Sequence, residues 1–581
     1  MPTESATPSC NTEVGSTSVP TLTYSELTFS DGTKITLNPQ DIVVFVGPNN
    51  AGKSAALREL EFILRKNRNT HVIKSAGLLR LGSEDEVDRH LRKHAVVQHN
   101  GRNEIFNVGG HSIGAPDLPG YWSGSQFEPL IPFFLKRIST ENRINDSNPA
   151  QAIDVLYTTP QHPIHTMYLD EDVERKIDSY FFRAFGTNLI LFRLGGSVWP
   201  LLVGERESPN ADEDRLSASY NKRMIEKTTP LSDQGDGMRS FASIIMHLLV
   251  PSWPSILILD EPEVYLHPPQ ARLLGEIIAS ERVPTAQLFV ATHSPDVLRG
   301  ILDTNPDNLR IVRIERNGDI NNVRELQSPD IKNINSDSLM RYSDVLSGIF
   351  HRRAIICESD ADCMFYSSIL HASVTRGKQN PDVLFLHAGG KHRMSTLAHA
   401  LNALGVRVDV IADIDILNDI PTLKRIVSSL GGEWLHVAND ARVVKLSVEH
   451  HKPWLNSLEI TKAIRIEIEK APNDGEFPRD IRNRIEKLFR KASPWDAVKA
   501  SGVSALPSGQ AIAHYQSLQK VFKNLGLWIV PCGELEGFCK AVGGHGPNWT
   551  QKVLENYDVH TSDELGPARM FVGEIWDFKR H

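Results

Sequence analysis

The stretch from Val43 to Leu60, VVFVGPNNAGKSAALREL, constrains the fold more than any other part of the chain. An apolar run typical of a buried strand stops at a glycine, and a helical pattern begins at Lys53. The residues between them match the pattern GxxxxGK[ST], and the flanking strand and helix are the context in which such a match is meaningful. The stretch predicts a phosphate-binding loop in an α/β domain. A plain glycine turn between a strand and a helix is the alternative.

The residue types in this loop suit a polyphosphate. Glycines let backbone N–H groups curl around phosphate oxygens, and the N-terminal end of the following helix adds a positive field. We expect Lys53 to reach the β- and γ-phosphates of ATP and the Ser54 hydroxyl to ligate Mg²⁺. The predicted nucleotide-binding residues of the loop are Gly47, Asn49, Asn50, Gly52, Lys53 and Ser54.

Bulk properties narrow the class of protein. With 581 residues the chain is too long for one core, so at least two domains are expected. The net charge of -8 excludes a basic field over the whole protein, so any nucleic-acid contact must be a local patch. The five cysteines form no CxxC pair, which is typical of a reducing cytoplasm. No apolar run reaches the roughly 18 residues of a membrane span, and the N-terminus lacks the pattern of a signal peptide.

Two further apolar strands in the first half end in polar residues. SILILDEPEVYLHP carries Asp260 and Glu261, the pair that a Walker B strand needs. Asp260 would hold the metal through water, and Glu261 would polarise the attacking water. AQLFVATHSPDVL delivers His293, for which we expect a role in sensing the γ-phosphate. A helix cap at the first strand and a hydrogen-bonded bystander at the second are the alternatives.

Between the loop and the Walker B strand, LSDQGDGMRSFASIIMHLLV places Ser232, Gly235 and Gly237 before an apolar helix whose free end could bind an anion. The order of these four motifs is similar to that of the SMC/Rad50-like ABC ATPases, over residues 22–315. The resemblance implies that this segment is the ABC signature, which contacts nucleotide held by a second protomer, although it departs from the common LSGGQ form. Gln98 is a weak candidate for the Q-loop glutamine. The insert from about 66 to 230 has no sustained heptads, so Rad50-like arms are not expected.

Acidic residues follow apolar strands in the second half as well. RRAIICESDADCMFYSSIL has Glu358, Asp360 and Asp362, and VRVDVIADIDIL has Asp413 and Asp415. Strand ends of a parallel sheet collect at one edge, and strand residues two apart project the same way. Carboxylates gathered there repel each other unless a divalent cation lies among them. The pattern predicts a Mg²⁺ or Mn²⁺ site suited to hydrolysis of a phosphodiester, with Glu358, Asp362, Asp413 and Asp415 as ligands. Acidic helix caps with a solvated turn are the alternative.

This acidic pattern resembles the Toprim fold, with Ser359 in place of the usual glycine after the glutamate. An ABC-type ATPase followed by Toprim in one chain resembles the OLD (overcoming lysogenization defect) nuclease family, to which the Gabija nuclease subunit belongs. The resemblance implies a late acidic ligand and a catalytic lysine. LWIVPCGELEGFCKAV offers Glu534 and Glu536, of which Glu536 is the better match. Lys552 in GPNWTQKVLEN is the candidate lysine, and Lys540 is its competitor.

A mostly helical insert is predicted from about 434 to 517. In FPRDIRNRIEKLFRKA the apolar residues fall on one helical stripe and cations occupy the rest. An excess of cations on one element of an acidic protein is a candidate contact for the DNA backbone, and a solvated helix face is the alternative. The cations are Arg479, Arg482, Arg484, Lys487, Arg490 and Lys491, and the stripe is Phe477, Ile481, Ile485, Leu488 and Phe489.

The predicted fold class is α/β, with an N-terminal ABC-type (SMC/Rad50-like) P-loop ATPase domain followed by a C-terminal Toprim α/β domain with a helical insert. We expect a flexible tail over 1–21, the ATPase over 22–345 with inserted dimerisation or helical elements at about 66–230, and the nuclease over 346–581.

The predicted function is an ATP-regulated DNA endonuclease that uses Mg²⁺, Mn²⁺ or Ca²⁺. The family resemblance implies a homodimer or homotetramer in the cytoplasm, a role in bacterial defence against phage, and an accessory helicase-like protein or retron nucleic acid. The main alternative is a nucleic-acid-binding ABC ATPase switch with an inactive Toprim domain. A topoisomerase-like strand passer would need a nucleophilic tyrosine, for which Tyr366 and Tyr515 have no supporting context.

Overall fold

Parallel strands with fully buried apolar sequences organise both halves of the chain. The computed structural model describes residues 19–65, 69–100, 103–108, 110–124, 126–250, 254–281, 286–326, 344–373, 380–450, 457–472, 477–490 and 494–580, apart from the side chains of Asn100, Lys487, Phe489 and Arg490. The contacts divide it into two compact units, one of Met1–Val46 with Asn50–Ser328 and the other of Gly47–Asn49 with Pro329–His581. Each unit is described by itself below.

The first unit contains most of the strands and eleven helices among its described residues. Its strands are β1 Thr21–Phe29, β2 Lys34–Thr36, β3 Ile42–Val46, β4 Ile73–Leu81, β5 Val96–Asn100, β6 Asn103–Val108, β7 His111–Gly114, β8 Leu135–Ile138, β9 Ala150–Gln151, β10 Asn188–Leu191, β11 Val198–Trp199, β12 Leu201–Gly204, β13 Thr228–Pro230, β14 Ile256–Asp260, β15 Gln287–Ala291, β16 Leu309–Asn317 and β17 Ile320–Leu326. Its helices are α1 Lys53–Leu64, α2 Glu84–His94, α3 Leu118–Ser123, α4 Ile131–Phe134, α5 Thr140–Asp146, α6 Pro163–Leu169, α7 Glu171–Phe185, α8 Ala218–Glu226, α9 Asp236–Leu249, α10 Pro268–Ser280 and α11 Pro295–Asp303.

The central sheet of this unit has six strands in the order β17-β16-β3-β15-β14-β8. All neighbours pair in parallel except β16 and β17. The strands IVVFV and QLFVA are buried at every position, as expected for a parallel sheet covered on both faces. Helix α1 packs Leu57 and Leu60 against this sheet. The carboxyl ends of β3, β14 and β15 therefore meet at one edge, which is where the predicted ATPase motifs begin.

Smaller antiparallel sheets surround the central sheet. They are β2-β1-β4, β5-β6-β7, β10-β12-β13 and the pair β9-β11. Strand β1 begins at Thr21, the last residue of the predicted flexible tail, and residues 1–18 of that tail lie outside the described part of the chain. The predicted insert at 66–230 is a mixture of short strands and helices, although Lys66 itself is not described.

The second unit has a four-stranded, all-parallel sheet in the order β19-β18-β20-β21. Its strands are β18 Arg353–Cys357, β19 Val383–His387, β20 Arg407–Ala412 and β21 Leu527–Ile529. Its helices are α12 Asp360–Ser373, α13 Lys391–Ala403, α14 Ile420–Ser429, α15 Ala438–Glu449, α16 Ser457–Ile468, α17 Arg479–Arg490, α18 Pro494–Ser501, α19 Gln510–Leu525, α20 Pro547–Asn556 and α21 Gly566–Asp577. Helices α15 to α19 correspond to the predicted helical insert.

The strand order places a switch point between β18 and β20. The chain passes from β18 to β19 on one side and then crosses to β20 on the other side of β18. In open parallel sheets, ligands bind outside the carboxyl ends of the strands at such a reversal. The core behind it includes Tyr366, which is 1% exposed, and Tyr515 is 3% exposed. Neither tyrosine is accessible as a nucleophile for DNA.

No helix in the described part of the chain is both long enough and apolar enough to cross a bilayer.

Candidate functional site

The phosphate-binding loop has the backbone that its glycines permit. Gly47 and Gly52 adopt φ angles of 137° and 99°, which disfavour any residue with a side chain. A Cβ at Gly52 would also lie 3.0 Å from the Asn321 amide nitrogen, which itself donates to the carbonyl of Ala51 at 2.6 Å. Glycine is thus required at Gly52 by both conformation and packing.

The remaining loop residues lead into helix α1. Asn49 and Asn50 are exposed, and Asn50 has a φ of 61°. Lys53 and Ser54 form the first turn of α1, where Lys53 is buried and Ser54 half-buried. The strand, loop and helix predicted from the sequence are confirmed as elements, while the contacts of this loop with ATP stay a prediction.

Asp260 is the last residue of β14, as the Walker B interpretation requires. Its Oδ1 atom is buried and accepts no hydrogen bond from any described residue. Burying an anionic oxygen without a hydrogen-bond donor costs free energy unless a cation or an ordered water binds it. Asp260 therefore fits the predicted water-mediated hold on Mg²⁺, together with the Ser54 hydroxyl.

Glu261 is held in an uncommon conformation immediately after this strand. Its φ is 46°, in the left-handed region that a residue with a Cβ rarely adopts. Its N–H donates to the carbonyl of Ala291 at 2.8 Å. Its own carbonyl accepts a hydrogen bond from Arg143 Nη1 at 3.1 Å. Both backbone groups of Glu261 are thus fixed, and its side chain is 39% exposed, as a residue that polarises water must be.

His293 lies beside Glu261 and is oriented by a third acid. Its Nδ1 is 3.6 Å from Glu261 Oε1 and 3.2 Å from Glu263 Oε1. Glu263 is buried, and the same Oε1 accepts hydrogen bonds from the Thr292 hydroxyl and the His293 N–H, each at 2.8 Å. Glu263 therefore links the ends of β14 and β15. Sequence reasoning missed this role, although Glu263 stands in the quoted motif.

Arg143 is the second residue that sequence reasoning missed. It lies on α5 with no exposed surface and donates both to Glu261 and to the Thr140 hydroxyl, the latter at 2.7 Å. Burial lowers the pKa of Arg143, and the carboxylates of Glu263, Asp260 and Glu261 oppose that shift. No sequence pattern marked Arg143, because its partner is a main-chain carbonyl 118 positions away.

The predicted signature residues lie at the start of α9. Ser232 is in a one-turn 3₁₀-helix, Gly235 is the N-cap of α9 and Gly237 is in its first turn. A Cβ at Gly237 would lie 2.6 Å from the carbonyl oxygen of Tyr265, so close packing alone accounts for that glycine. The contact with nucleotide across protomers stays a prediction. Gln98 lies on β5 in a separate antiparallel sheet.

A polar cavity of about 790 Å³ opens beside Asp260 and follows the edge strand β8. Its volume falls within the roughly 300–1,000 Å³ typical of small-molecule sites. Arg65, Lys136, Arg137 and Glu141 are among its lining residues. The cavity thus lies next to Asp260, but no residue of the phosphate-binding loop is among its lining residues.

In the second unit, the predicted acids come together around a lysine. Lys499 Nζ lies 3.3 Å from Asp413 Oδ2, 3.6 Å from Asp415 Oδ2 and 3.9 Å from Glu534 Oε2. Burial alone would lower the pKa of Lys499, but these carboxylates and Glu358 outweigh it and raise the pKa. Sequence reasoning missed Lys499, which lies on α18 in the helical insert.

The local structure of these acids differs from the prediction in one respect. Strand β20 ends at Ala412, Asp413 caps a 3₁₀-helix over Ile414–Leu417, and Asp415 lies within that helix. The expectation that both aspartates alternate along a strand was wrong, because the chain turns before reaching Asp415. Both side chains still contact Lys499, and Asp415 Oδ2 also pairs with Lys391 Nζ at 3.2 Å.

Glu358 and Asp362 flank the end of β18. Gly390 N–H donates to the Glu358 carbonyl at 3.0 Å, which ties the Gly-Gly turn after β19 to this strand end. Asp362 Oδ2 accepts from the Ser359 N–H at 2.8 Å and from its hydroxyl at 3.0 Å. Burial raises the pKa of Asp362, and the charges of Glu358 and Glu536 raise it further. Asp360 is exposed at the start of α12.

Asp413 interacts electrostatically with Lys499 and with the other carboxylates of this site. Burial raises its pKa well above the usual value, Lys499 opposes the shift, and Asp362, Glu358 and Asp415 reinforce it. Asp415 Oδ1 is buried and accepts no hydrogen bond from the described residues. Crowded carboxylates with an unpartnered oxygen are the arrangement that a divalent cation neutralises, so these residues fit the predicted metal.

The late acids lie beyond β21 rather than at its end. The strand stops at Ile529, and Glu536 lies in a 3₁₀-helix over Leu535–Phe538, which corrects the predicted strand end. Glu536 Oε1 accepts from the Gly546 N–H at 2.7 Å. Ligand atoms of Glu534, Glu536 and His545 lie within 4.8 Å of one another. His545 is a possible nitrogen ligand that sequence reasoning missed.

The two lysines named from the family resemblance have other environments. Lys552 is exposed on α20 and Lys540 is exposed after the Glu536 turn. Lys499 pairs with Asp413, Asp415 and Glu534, and Lys391 pairs with Asp415, each within 4.0 Å. The catalytic role of Lys552 stays a prediction.

The ATPase half matches a known family model. Residues 200–299 match the model described as "AAA domain, putative AbiEii toxin, Type IV TA system". This range contains the signature segment, Asp260, Glu261 and His293. The expected N-terminal P-loop ATPase domain in an α/β chain is confirmed, and the Toprim assignment of the second unit stays a prediction.

A curated relative extends the similarity. The Old nuclease of Escherichia phage P2 is 22% identical over 305 residues, which cover 51% of this chain and 44% of the phage protein. The resemblance to the OLD family is confirmed. The match spans less than half the length of that OLD protein, and the predicted likeness to the Gabija subunit stays a prediction.

Solved structures similar to the chain include SMC head domains. An SMC head bound to the C-terminal winged-helix domain of ScpA has a TM-score of 0.33 at 11% identity, over 53% of this chain and 98% of that one. The SMC head domain from Thermotoga maritima has a TM-score of 0.27 at 11% identity, over 53% of this chain and 99% of that one.

Proposed function

We propose that this chain is an ATP-regulated DNA endonuclease that depends on divalent metal ions. One observation carries the proposal: Glu358 and Asp413, which directly follow two neighbouring parallel strands, and Glu534, in the loop beyond a third strand, share an electrostatic environment with Lys499 near a topological switch point. Metal ions held by such carboxylates activate water and stabilise the charge that develops on a phosphodiester. The OLD nuclease relative supports nucleic acid as the substrate.

The chain's own residues would divide the work in the second unit. Glu358, Asp362, Asp413, Asp415 and Glu536 supply the oxygen ligands. Lys499 and Lys391 limit the repulsion between these carboxylates and place positive charge where a phosphate would approach.

In the first unit, Lys53 and the loop N–H groups would hold the phosphates of ATP. Ser54 and Asp260 would hold Mg²⁺. Glu261 would orient the attacking water, with His293 beside it. We further propose that the protein acts as a homodimer or homotetramer, in which the signature residues of one copy complete the ATP site of another. The nucleotide state would then control DNA cleavage.

A nicking assay on supercoiled plasmid tests this function. We expect cleavage with Mg²⁺, Mn²⁺ or Ca²⁺ that Glu358→Ala abolishes and Lys53→Ala retains in the absence of ATP. Lys53→Ala should abolish ATP hydrolysis and any effect of ATP on cleavage. Intact ATP hydrolysis without cleavage under all three metals would contradict the nuclease and favour a nucleic-acid-binding ATPase switch.

We also propose a role in bacterial defence against phage, with an accessory helicase-like protein or retron nucleic acid as a partner. Support comes from the OLD resemblance and from a family description that names a toxin of a toxin–antitoxin system. Phage plaque counts on bacteria that express the wild-type chain or Glu358→Ala test this role. Equal counts on both strains would contradict it.

A further inference from the structure

Glu261 needs an external restraint to stay where water activation requires it. Its φ of 46° is a costly conformation for a residue with a Cβ, and its side chain is partly exposed, with Oε1 3.6 Å from His293 Nδ1. The Ala291 carbonyl fixes its N–H, and within the following turn the N–H of Val264 donates to its carbonyl at 3.2 Å. The same carbonyl also accepts a hydrogen bond from Arg143 on α5, an element outside the four sequence motifs of the ATPase.

We propose that Arg143 is the positioning residue for Glu261 in ATP hydrolysis. The inference rests on the proposed ATPase function. The Arg143 guanidinium is completely buried and donates from Nη1 to the Glu261 carbonyl at 3.1 Å and from Nη2 to the Thr140 hydroxyl at 2.7 Å. The guanidinium of Arg143 is planar and has two fixed acceptors. It therefore restrains both the position and the orientation of the Glu261 main chain. Arg143 does not need to touch the nucleotide for this role.

Several contacts with α9 fix the position of helix α5 and therefore of Arg143. Arg239 on α9 donates to the Ile144 carbonyl and to the Ser147 hydroxyl, each at 3.0 Å. His247, also on α9, contacts Asp146 Oδ2 at 2.7 Å, and its other ring nitrogen lies 3.0 Å from Lys136 Nζ. Helix α9 begins at the predicted signature residues. Arg143 therefore connects the helix that follows the signature to the Walker B glutamate through α5.

Arg143→Met tests the proposal on the full chain. We expect the kcat for ATP hydrolysis to fall by about 100-fold, the size of effect expected when a catalytic group is displaced by about 1 Å. The Kd of a fluorescent ATP analogue should stay unchanged, because the variant leaves the phosphate loop intact. Arg143→Lys should recover only part of the loss, since one ammonium cannot reproduce the two fixed bonds of the fork.

Arg206→Met is the control for losing a guanidinium that holds a main-chain carbonyl; the Arg206 side chain is 20% exposed. Arg206 also donates to a main-chain carbonyl, that of Leu189 at 3.1 Å, and pairs with Glu174 away from the Walker residues. We expect a lower melting temperature for this control with kcat retained in the folded fraction. A kcat loss in Arg143→Met no larger than in the control would overturn the proposal.

A double-mutant cycle separates this proposal from the proposed function. If Arg143 acts only through Glu261, Arg143→Met should add no further loss to Glu261→Gln. An independent, additive loss would show that Arg143 acts elsewhere and would refute the positioning role. If Glu261→Gln itself leaves ATP hydrolysis intact, the assignment of Glu261 fails instead, whatever the Arg143 variants do.

Discussion

The two units place acids at the carboxyl edge of a parallel sheet in different ways. In the first unit, Asp260, Glu261 and Glu263 lie at the end of a single strand, where donors bind the Glu261 main chain and Glu263 Oε1, while Glu263 Oε2 is buried without a donor among the described residues. In the second unit, the acids follow two separate strand ends and a loop beyond a third strand; Lys499 pairs with Asp413, Asp415 and Glu534, and Lys391 pairs with Asp415. The contacts in the first unit fix the positions of its acids, whereas the second unit concentrates negative charge.

This difference indicates what each site requires from its ligand. At the Walker B strand, protein donors orient the Glu261 main chain and Glu263 Oε1, and a cation is proposed only at Asp260. The second group leaves Asp362 and Asp413 with raised pKa values, since burial and neighbouring carboxylates disfavour their ionised forms. We therefore expect a divalent cation to favour the ionised forms of Asp362 and Asp413.

The largest effect is expected for Glu261→Gln. Loss of a residue that activates water lowers such rates by about 100- to 10,000-fold, so ATP hydrolysis should fall by that amount while ATP binding persists. DNA cleavage without ATP should be unchanged, because the acids of the second unit remain. Steady-state ATPase and nicking assays on the same preparation measure both. Loss of ATP-independent cleavage in this variant would show that the two sites are not separate.

The next effect concerns the lysine of the second site. Lys499→Met should lower DNA cleavage by about 100-fold, the cost of removing one group that stabilises developing charge. ATP hydrolysis should be retained. Lys552→Met is the comparison variant, because the family resemblance names Lys552 as the catalytic lysine. We expect a larger loss of DNA cleavage in Lys499→Met, because Lys499 contacts Asp413 and Asp415. Abolished cleavage in Lys552→Met with near-normal cleavage in Lys499→Met would refute this assignment.

These lysines show where sequence reasoning succeeds and where it stops. The phosphate loop, the Walker B strand and His293 could be predicted because each follows a short apolar strand within a motif of adjacent residues. The acids of the second unit could be predicted as a group because parallel strand ends share an edge. Lys499 could not be predicted, because it lies 84 positions after Asp415 on a helix with no motif and only the fold brings them within 3.6 Å.

The sequence pattern also did not predict the residues at which the strands end and the chain turns. The chain leaves β20 at Ala412 and β21 at Ile529, so Asp415 and Glu536 lie in 3₁₀-helices rather than on strands. Apolar periodicity marks the strand but not the residue at which it ends. Arg143 escaped prediction for a related reason, since it recognises a main-chain carbonyl and not a residue type.

The third prediction uses pH to test the charge concentration. A carboxyl group whose pKa is raised in the folded state stabilises the fold below its ordinary pKa of about 4, and that contribution is lost as pH rises through the folded pKa. With chelator present, unfolding free energy should therefore fall between acidic and neutral pH. Mn²⁺ at 100 times its Kd should restore about 2.7 kcal/mol at neutral pH and much less at pH 5, where protons compete. Thermal unfolding measures both effects.

Asp413→Asn is the variant that checks the origin of this pH dependence. Burial raises the pKa of Asp413 well above its usual value, so its replacement should stabilise the chelated protein at neutral pH. It should also weaken the stabilisation by Mn²⁺. An unchanged pH profile in Asp413→Asn would mean that other groups produce the effect.

The smallest effect is expected on the helical insert, where the basic face of α17 is a candidate DNA contact. Phe477 is 47% exposed and Ile481 is buried, while Lys487, Phe489, Arg490 and Lys491 lie outside the described side chains. Arg484 already pairs with Glu467 at 2.7 Å and with Asp480 at 3.0 Å. Arg479 is exposed and has no such pair among the described residues.

Arg479→Ala and Arg484→Ala therefore form a matched pair for measuring DNA binding against salt. Each phosphate contact contributes about 0.9 to the slope of log K against log salt concentration. We expect Arg479→Ala to reduce the slope by about that amount, because its charge is available to a phosphate. Arg484→Ala should change it little, because two acids already neutralise that guanidinium. Equal slopes in the wild type and in Arg479→Ala would mean that α17 presents a solvated face. The positive charge of this helix would then pair with neighbouring carboxylates and not with DNA phosphates.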